Sequence, residues 1–377
     1  MNIAAAKDAA LHVLRHNARG LHGLPRVAGW GYPEPYTRDL MISSLGFLIS
    51  GDLVLINILQ RVLESLARHQ SPHGQIPGLA HTPHDLGSSD TTPLFLIALA
   101  LFRQTIHQPD FLDDAAQKAL NWMIYQSSDD RGLVAQQPTS DWRDEQWVLG
   151  YGLYVNTLMV LVYHLYGFNE QANRLRQRIN RPVILSGSKP AHVLEGLAVP
   201  HQSYYALWSY KVHSSTRFDL LGNSLAMLSG ITSPSKTQRL ITWVESSCQQ
   251  LRAQGDLAGD LPPCFFPYIR PTDPDWHPRY HQFNRPGEYH NGGIWPFICG
   301  LYIAALVKAG RFRLAERKLF ALTNAMRPAR EAAVEYGFNE WLRAQDSAPA
   351  GQDWQTWSAA LYLYAAHCVE HKQTSFF

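Results

Sequence analysis

An excess of charge of one sign is missing from this sequence. Its 33 Lys and Arg stand against 31 Asp and Glu over 377 residues, a net charge of +2, with no basic run. A nucleic-acid surface needs clustered cations, so that partner is not expected. Cysteine is scarce: Cys248, Cys264, Cys299 and Cys368 are scattered without CxxC spacing. Disulfide frameworks belong to small secreted domains, so these read as reduced, mostly buried thiols of a cytoplasmic protein. Long apolar runs are absent too. The longest, Pro93 to Phe102, covers ten residues, against about 20 needed to span a bilayer. Residues 1–20 read as an amphipathic helix rather than a signal peptide, because no basic region leads into a continuous apolar stretch. No membrane partner is expected.

Cofactor signatures are lacking as well. No GxGxxG follows a strand and no P-loop occurs, so nucleotide binding has no cradle. GxSxG, the usual serine-hydrolase elbow, is missing. Seventeen His are present, yet neither HExxH nor a His/Cys quartet appears. His277, His281 and His290 share one loop, where a surface or structural role outranks a metal site. Neither metal nor cofactor is expected.

What is present is apolar helix. At 46% apolar, the chain can bury a large core. Apolar residues at 3.6-residue spacing predict twelve helices, near 3–17, 39–50, 53–69, 90–107, 111–126, 150–167, 168–180, 218–230, 235–252, 292–309, 312–326 and 353–370. Strand signals are thin, around 182–186 and 264–269, and both sit in loops. The class is all-α. The links after every second helix are short and marked by Gly or Pro, as between antiparallel neighbours. The other links are long and carry the conspicuous residues: Tyr36, Arg38 and Asp39; Asp90; Ser140 to Glu145; Glu288 to Gly293; and Phe338 to Trp357. Six helical hairpins with elaborate loops on one side imply a closed ring, an (α/α)6 barrel forming a single domain over residues 1–377.

These rim loops hold Glu34, Asp39, Asp90, Asp141, Asp144, Glu145, Glu288, Glu340, Asp346 and Asp353. Cleaving an acetal at neutral pH needs one protonated carboxyl and one ionised carboxylate facing it across a pocket. Tryptophan walls raise a carboxyl's pKa by penalising its anion. Asp141, beside Trp142 and near Trp147, therefore suits the acid. Glu340, beside Trp341 and near Trp357 in sequence, suits the base. Asp39, Asp90 and Asp353 also stand where N-caps belong, and Arg38 suits a clamp on a carboxylate as well as it suits a ligand. The 11 Trp and 17 Tyr are numerous enough to line a site for flat apolar faces, sugar rings included.

Three stretches resemble a known group: Tyr36-Thr-Arg-Asp-Leu, Glu288-Tyr-His-Asn-Gly-Gly-Ile-Trp-Pro296 and Trp354-Gln-Thr-Trp-Ser-Ala-Ala360. They resemble, in order, the neutral/alkaline invertases, glycoside hydrolase family 100. The Tyr-His-Asn-Gly element, and Ser140-Asp-Trp-Arg-Asp followed by Val155-Asn-Thr-Leu, are also similar to bacterial amylo-α-1,6-glucosidase (debranching) proteins. The resemblance implies an inverting hydrolase with an Asp acid and a Glu base, which fall on Asp141 and Glu340. It makes Tyr36, Arg38, Asp39, Asp90, Trp142, Arg143, Asp144, Tyr289, His290, Asn291, Trp295, Gln355 and Trp357 candidates for contact with a saccharide substrate. Such relatives often assemble through outer helices, but no heptad or exposed apolar stripe argues for a homo-oligomer here.

The leading reading is an inverting glycoside hydrolase on a small soluble α-glucoside, with sucrose the first substrate to try. Its alternatives are a debranching-type α-1,6-glucosidase, a sugar epimerase or isomerase using His290 with His213 or His281, and a non-catalytic carbohydrate sensor. An epimerase needs a base titrating near neutrality, which is histidine's ordinary range.

Overall fold

The computed structural model describes residues 2–127, 132–183 and 195–377. Within them the helices are α1 (Ile3–Asn17), α2 (Thr37–Ser50), α3 (Leu53–His69), α4 (Thr91–Ile106), α5 (Asp113–Tyr125), α6 (Leu153–Leu165), α7 (Asn169–Ile179), α8 (Leu220–Leu228), α9 (Pro234–Ala253), α10 (Tyr280–Phe283), α11 (Pro296–Lys308), α12 (Phe312–Ala325) and α13 (Thr356–His371). Every helix expected from periodicity is there, with ends displaced by a few residues at most. The additional one, α10, is a single turn inside a long loop. No helix among the described residues is long and apolar enough to cross a membrane.

The helices divide into two kinds. From Thr91 to Phe102 every residue of α4 is buried, as is every residue of α11 from Pro296 to Val307. A helix that is apolar all round belongs in an interior. By contrast, α3 buries Leu55, Ile58, Leu59, Val62, Leu63 and Leu66, one stripe at helical spacing, and leaves its other face toward solvent. The buried helices touch in sequence: α2 packs on α4, α4 on α6, α6 on α8, α8 on α11, α11 on α13, and α13 returns to α2. The one-sided helices back them, with α3 against α2 and α4, α5 against α4, α7 against α6, and α12 against α11 and α13. Close approach decides two positions. A Cβ on Gly300 of α11 would lie 2.6 Å from the Leu361 carbonyl of α13, and Gly46 of α2 meets Ala360 as tightly from another side. Leu45, Leu94, Leu158, Leu221 and Leu301 meet inside this circuit around a space of only about 40 Å³, so its middle is filled.

Strand is present where loops were expected. β1 (Tyr151–Gly152), β2 (Ala206–Tyr210), β3 (His213–Asp219) and β4 (Phe265–Phe266) form an antiparallel sheet in that order, with Trp208 opposite Ser215 and Phe218 opposite Phe266. β5 (Trp341–Leu342) pairs with β6 (Pro349–Ala350). The β-prone stretch at 264–269 does contain a strand, and 184–186 lie outside the described residues. The β2–β3 hairpin was missed because β3 is mostly polar and neither strand shows clean two-residue alternation. The four-stranded sheet joins the loops before α6, α8 and α11 to one another, whereas β5 and β6 lie within the one loop before α13. β3 runs into α8 through Asp219, whose carboxylate caps the helix by accepting from Gly222 N at 3.0 Å.

Candidate functional site

The N-terminal ends of the inner helices meet, and polar contacts there pass from one helix to the next. Gln355, at the N-cap of α13, donates from Nε2 to Asp39 of α2 at 3.2 Å. Beside Asp39, Arg38 forks onto Asp90, ahead of α4, with bonds of 2.6 and 3.1 Å. The same guanidinium donates to the Asp141 carbonyl at 2.9 Å. Arg143 then forks onto the Asp141 carboxylate and lies 3.1 Å from Asp219, ahead of α8. Bidentate geometry of this kind fixes loops in register.

This network sets Asp141 in surroundings unlike those expected of an acid. Its side chain is fully buried and accepts from Arg143 N at 2.8 Å, from the Arg143 side chain at 2.9 Å and from Gln136 Nε2 at 3.1 Å. Burial alone would raise its pKa, but the guanidinium and these donors outweigh burial and hold it below the ordinary range. A proton donor must reach a ligand, and the Asp141 carboxylate is enclosed by Arg143 and Gln136. The neighbouring Trp142 packs edge-on to His290, Trp295 and Phe297 in the core. Asp219, at the far side of Arg143, is pushed up by burial despite that pairing.

Asp144 lies three residues on and differs in kind. Its side chain is 63% exposed, with Oδ1 3.8 Å from His290 Nε2. The surrounding walls still desolvate it and raise its pKa, Arg38 opposing and Glu145 adding to the rise. Glu145 itself is clasped by Arg279 and takes no part. Glu340 approaches from the loop before α13. One of its oxygens accepts from Gln352 N at 3.0 Å, and burial raises its pKa to about 7, with the charge of Asp144 contributing. Asp39 is likewise pushed up to about 7 by burial, Arg38 opposing and Glu340 adding. Two tyrosines register the same charges. Glu340 is the largest influence lifting Tyr32 to about 12, with Asp39 and Asp144 assisting, and Tyr289 is raised by burial, Asp144 and Glu340. Asp39, Asp144, Glu340, Tyr32 and Tyr289 thus share one electrostatic space.

The remaining expected residues separate into wall and foundation. Tyr36 presents a half-exposed ring beside Tyr32, 6.4 Å between centroids. Tyr289 stacks on His290 at 3.9 Å, and His290 stacks on Trp295 at 5.6 Å. Trp295 and Trp357 are buried, Trp357 stacking on Phe297 at 4.3 Å. Asn291 is bound into the fold: it is fully buried, accepts from Ile269 N and donates to the Ile269 and Asn284 carbonyls, so both its N–H donors are used. Asp90 is bound in likewise, being buried beneath Arg38 without a capping bond. Asp353 accepts from the backbone N–H groups of Arg330, Glu331 and Ala332 instead of capping α13. Gln355 keeps Oε1 buried and unpartnered among the described residues.

Sequence reasoning missed Tyr32, Gln352 and Gly351. The aromatic cluster Trp30-Gly-Tyr32-Pro-Glu-Pro-Tyr36 was a usable signal for Tyr32. Gly351 had none, since its need follows from contact with Glu340 across a turn. The two loops carrying Tyr289 and Glu340 are bound together by Ile294 and Leu342, which exchange N–H···O bonds of 2.8 Å each way. Cavity size would not have found this space: a cavity of about 700 Å³ lies between α9 and α12 around Arg311 and Arg317, away from these carboxylates.

A sequence model of the family described as "Alkaline and neutral invertase" matches residues 163–372. Among curated relatives, the chain is 26% identical over 171 residues to probable alkaline/neutral invertase A, chloroplastic, of Arabidopsis thaliana, covering 43% of this chain and 24% of that protein. It is 28% identical over 164 residues to cytosolic invertase 1 of Oryza sativa subsp. japonica, covering 41% and 26%. The matched part thus spans about a quarter of the length of these relatives. Among solved structures, a GH63 mannosylglycerate hydrolase from Thermus thermophilus in complex with glucose is similar in fold, with TM-score 0.65 and 17% identity, covering 95% of this chain and 99% of that one. A rhamnosidase from Klebsiella oxytoca with rhamnose bound gives TM-score 0.62 and 13% identity, covering 96% and 63%.

Proposed function

The chain belongs to the alkaline and neutral invertase family, and on that footing we propose that it is an inverting glycoside hydrolase with Asp144 as acid and Glu340 as base. The inner circuit of helices is then the core of an (α/α)6 barrel of six helical hairpins, one domain over residues 1–377, with its site at the inner helices' N-terminal ends. Asp144 protonates the glycosidic oxygen as the bond to the anomeric carbon breaks. Glu340 takes a proton from water attacking that carbon on the opposite face. For water to fit between them, inverting carboxyls stand about 6.5–9.5 Å apart.

One observation carries this reading. Asp144, 3.8 Å from His290, and Glu340, next in sequence to Trp341, come from loops far apart in the chain and meet around Tyr289, whose ring lies 3.9 Å from His290 and 5.7 Å from Trp341; burial raises both carboxyls. Glu340 suits the base because the Gln352 N–H fixes one oxygen and orients the other. A base whose pKa lies near the working pH is the strongest that is still substantially ionised. Asp39 and Gln355 form a hydrogen-bonded pair suited to adjacent sugar hydroxyls. His290 is held neutral, its pKa well below the ordinary range through burial and the nearby Arg143. That favours hydrolysis over epimerisation, which needs an imidazole titrating near neutrality.

We take the substrate to be a small α-glucoside, sucrose first, and the setting to be the cytoplasm, where four free, buried thiols are at home. Incubation with sucrose and other disaccharides, followed by proton NMR at early times, reports both the bond cut and the anomer released. Asp144→Asn should lose about 10³-fold on sucrose yet keep hydrolysing a glycosyl fluoride, whose leaving group needs no proton. Glu340→Gln should lose both. An Asp144→Asn enzyme with near-normal turnover of the natural glycoside would overturn the assignment.

A further inference from the structure

A second cavity, of about 670 Å³, opens beside the Ser140–Trp147 loop, between that loop, the β2–β3 hairpin and residues 265–280. None of Asp39, Asp144, Tyr289, His290 or Glu340 lines it. We propose that it is a separate, non-catalytic binding site for a neutral saccharide.

Its lining argues for that chemistry independently of the hydrolysis proposed above. Two indoles supply flat apolar faces. Trp147 is 47% exposed and stacked on His277 with 5.5 Å between centroids, while Trp208 stands half-buried on β2. Such faces accept the C–H side of a pyranose ring as they accept any weakly polar, flat surface. Beside them in the lining, Ser215, the cross-strand partner of Trp208, and Thr216 of β3 carry hydroxyls. Gln146 is the decisive group. It lines the cavity, is 1% exposed, and neither its amide oxygen nor its amide nitrogen has a partner among the described residues. An amide unpaired at such depth costs free energy until something supplies both a donor and an acceptor. A sugar hydroxyl does so.

The charges in the wall select against ions. Arg217 is spent on Asp275, with two bonds of 2.6 Å, and on Asp273 at 2.9 Å. Among the described residues of the wall, no uncompensated guanidinium is left for an anion and no unpaired carboxylate for a cation. The volume lies within the range of about 300–1,000 Å³ that small-ligand sites occupy. The Glu145–Arg279 pair and the bond from Trp147 N to Tyr280 Oη, at 3.3 Å, tie the cavity's edge to the loop carrying Asp144.

The test uses the full chain labelled with 5-fluorotryptophan and followed by fluorine NMR. Trp147→Phe and Trp208→Phe assign two of the resonances. D-glucose is a probe that no hydrolase consumes, so binding is read whether or not the proposed catalysis holds; maltose and sucrose extend the series. The Trp147 and Trp208 resonances should shift saturably, and Thr216→Val should weaken that binding about fivefold or more while turnover of the natural glycoside is unchanged. If saccharide moves only resonances other than those of Trp147 and Trp208, or none, the site is refuted. If glucose 6-phosphate or glucuronate moves Trp208 and neutral sugars do not, the neutral class is wrong.

Discussion

His290 Nε2 lies 3.8 Å from Asp144 Oδ1, while Nδ1 of the same ring is buried without a hydrogen-bond partner among the described residues. Because the imidazole is neutral, it sits against Asp144 without neutralising it. A cationic ring at that place would pull the Asp144 carboxyl down and cost it the proton it is proposed to donate. Asp141 shows that opposite case, sealed against Arg143 in the same turn of chain.

The two aspartates should therefore fail in different ways. Asp144→Asn is expected to keep its urea unfolding midpoint and lose turnover. Asp141→Asn is expected to lose about 3–5 kcal/mol of stability, because Arg143 is left buried beside one fewer anion. Unfolding curves and initial rates on the two purified variants decide it. Full stability with lost turnover in Asp141→Asn would restore that residue as the acid.

Asp39 makes stability depend on pH in a definite direction. Its carboxyl titrates near 3.8 when unfolded and at about 7 in the fold. Between those values the native state holds the extra proton, so stability is full below pH 4 and is lost as pH rises through 7. Asp39→Asn should stabilise the protein at pH 8 by on the order of 2 kcal/mol, with the gain vanishing near pH 4. A gain that persists at pH 4 would show that titration is not its source.

The base sets the acid limb of activity. With Glu340 at about 7, kcat/KM should fall about tenfold per unit once pH drops well below 7. A limb centred near 4.5, the ordinary glutamate value, would mean that Glu340 is not the ionising base.

Gly351 should prove intolerant of a side chain. Its φ is +70°, and a Cβ there would lie 2.9 Å from the Glu340 carboxyl carbon and closer still to Oε2. Gly351→Ala should displace that carboxylate and lower kcat by about 10²-fold, at a cost of about 1–3 kcal/mol. Wild-type kcat in that variant would show that the position of Glu340 is not critical.

Arg38→Lys keeps the charge and loses the fork. One ammonium cannot hold both Asp90 oxygens and the Asp141 carbonyl at once. The unfolding midpoint should fall, and kcat with it, as the Ser140–Trp147 loop loses its anchor. An unchanged midpoint would reduce the clamp to a surface contact.

Apolar periodicity was enough to place α1 to α9 and α11 to α13, because a helix that buries a stripe or its whole surface must write that burial into its residues. The order of short and long links pointed to hairpins for the same reason. Asp141 and Asp144 were not separable that way. Both stand beside aromatic or charged neighbours within four residues, and no local rule says which carboxyl turns inward to Arg143 and which is left exposed beside His290.

The pattern of buried side chains, a local property, was therefore legible in the amino-acid order. The protonation behaviour of Asp39, Asp144 and Glu340 was not, since a pKa is set by solvent exclusion and by charges brought close through space. Asn291 makes the same point from the other side: a motif residue suited to sugar hydroxyls spends both its N–H donors on Ile269 and Asn284. Chain order supplied the groups, and folding decided which kept a free valence.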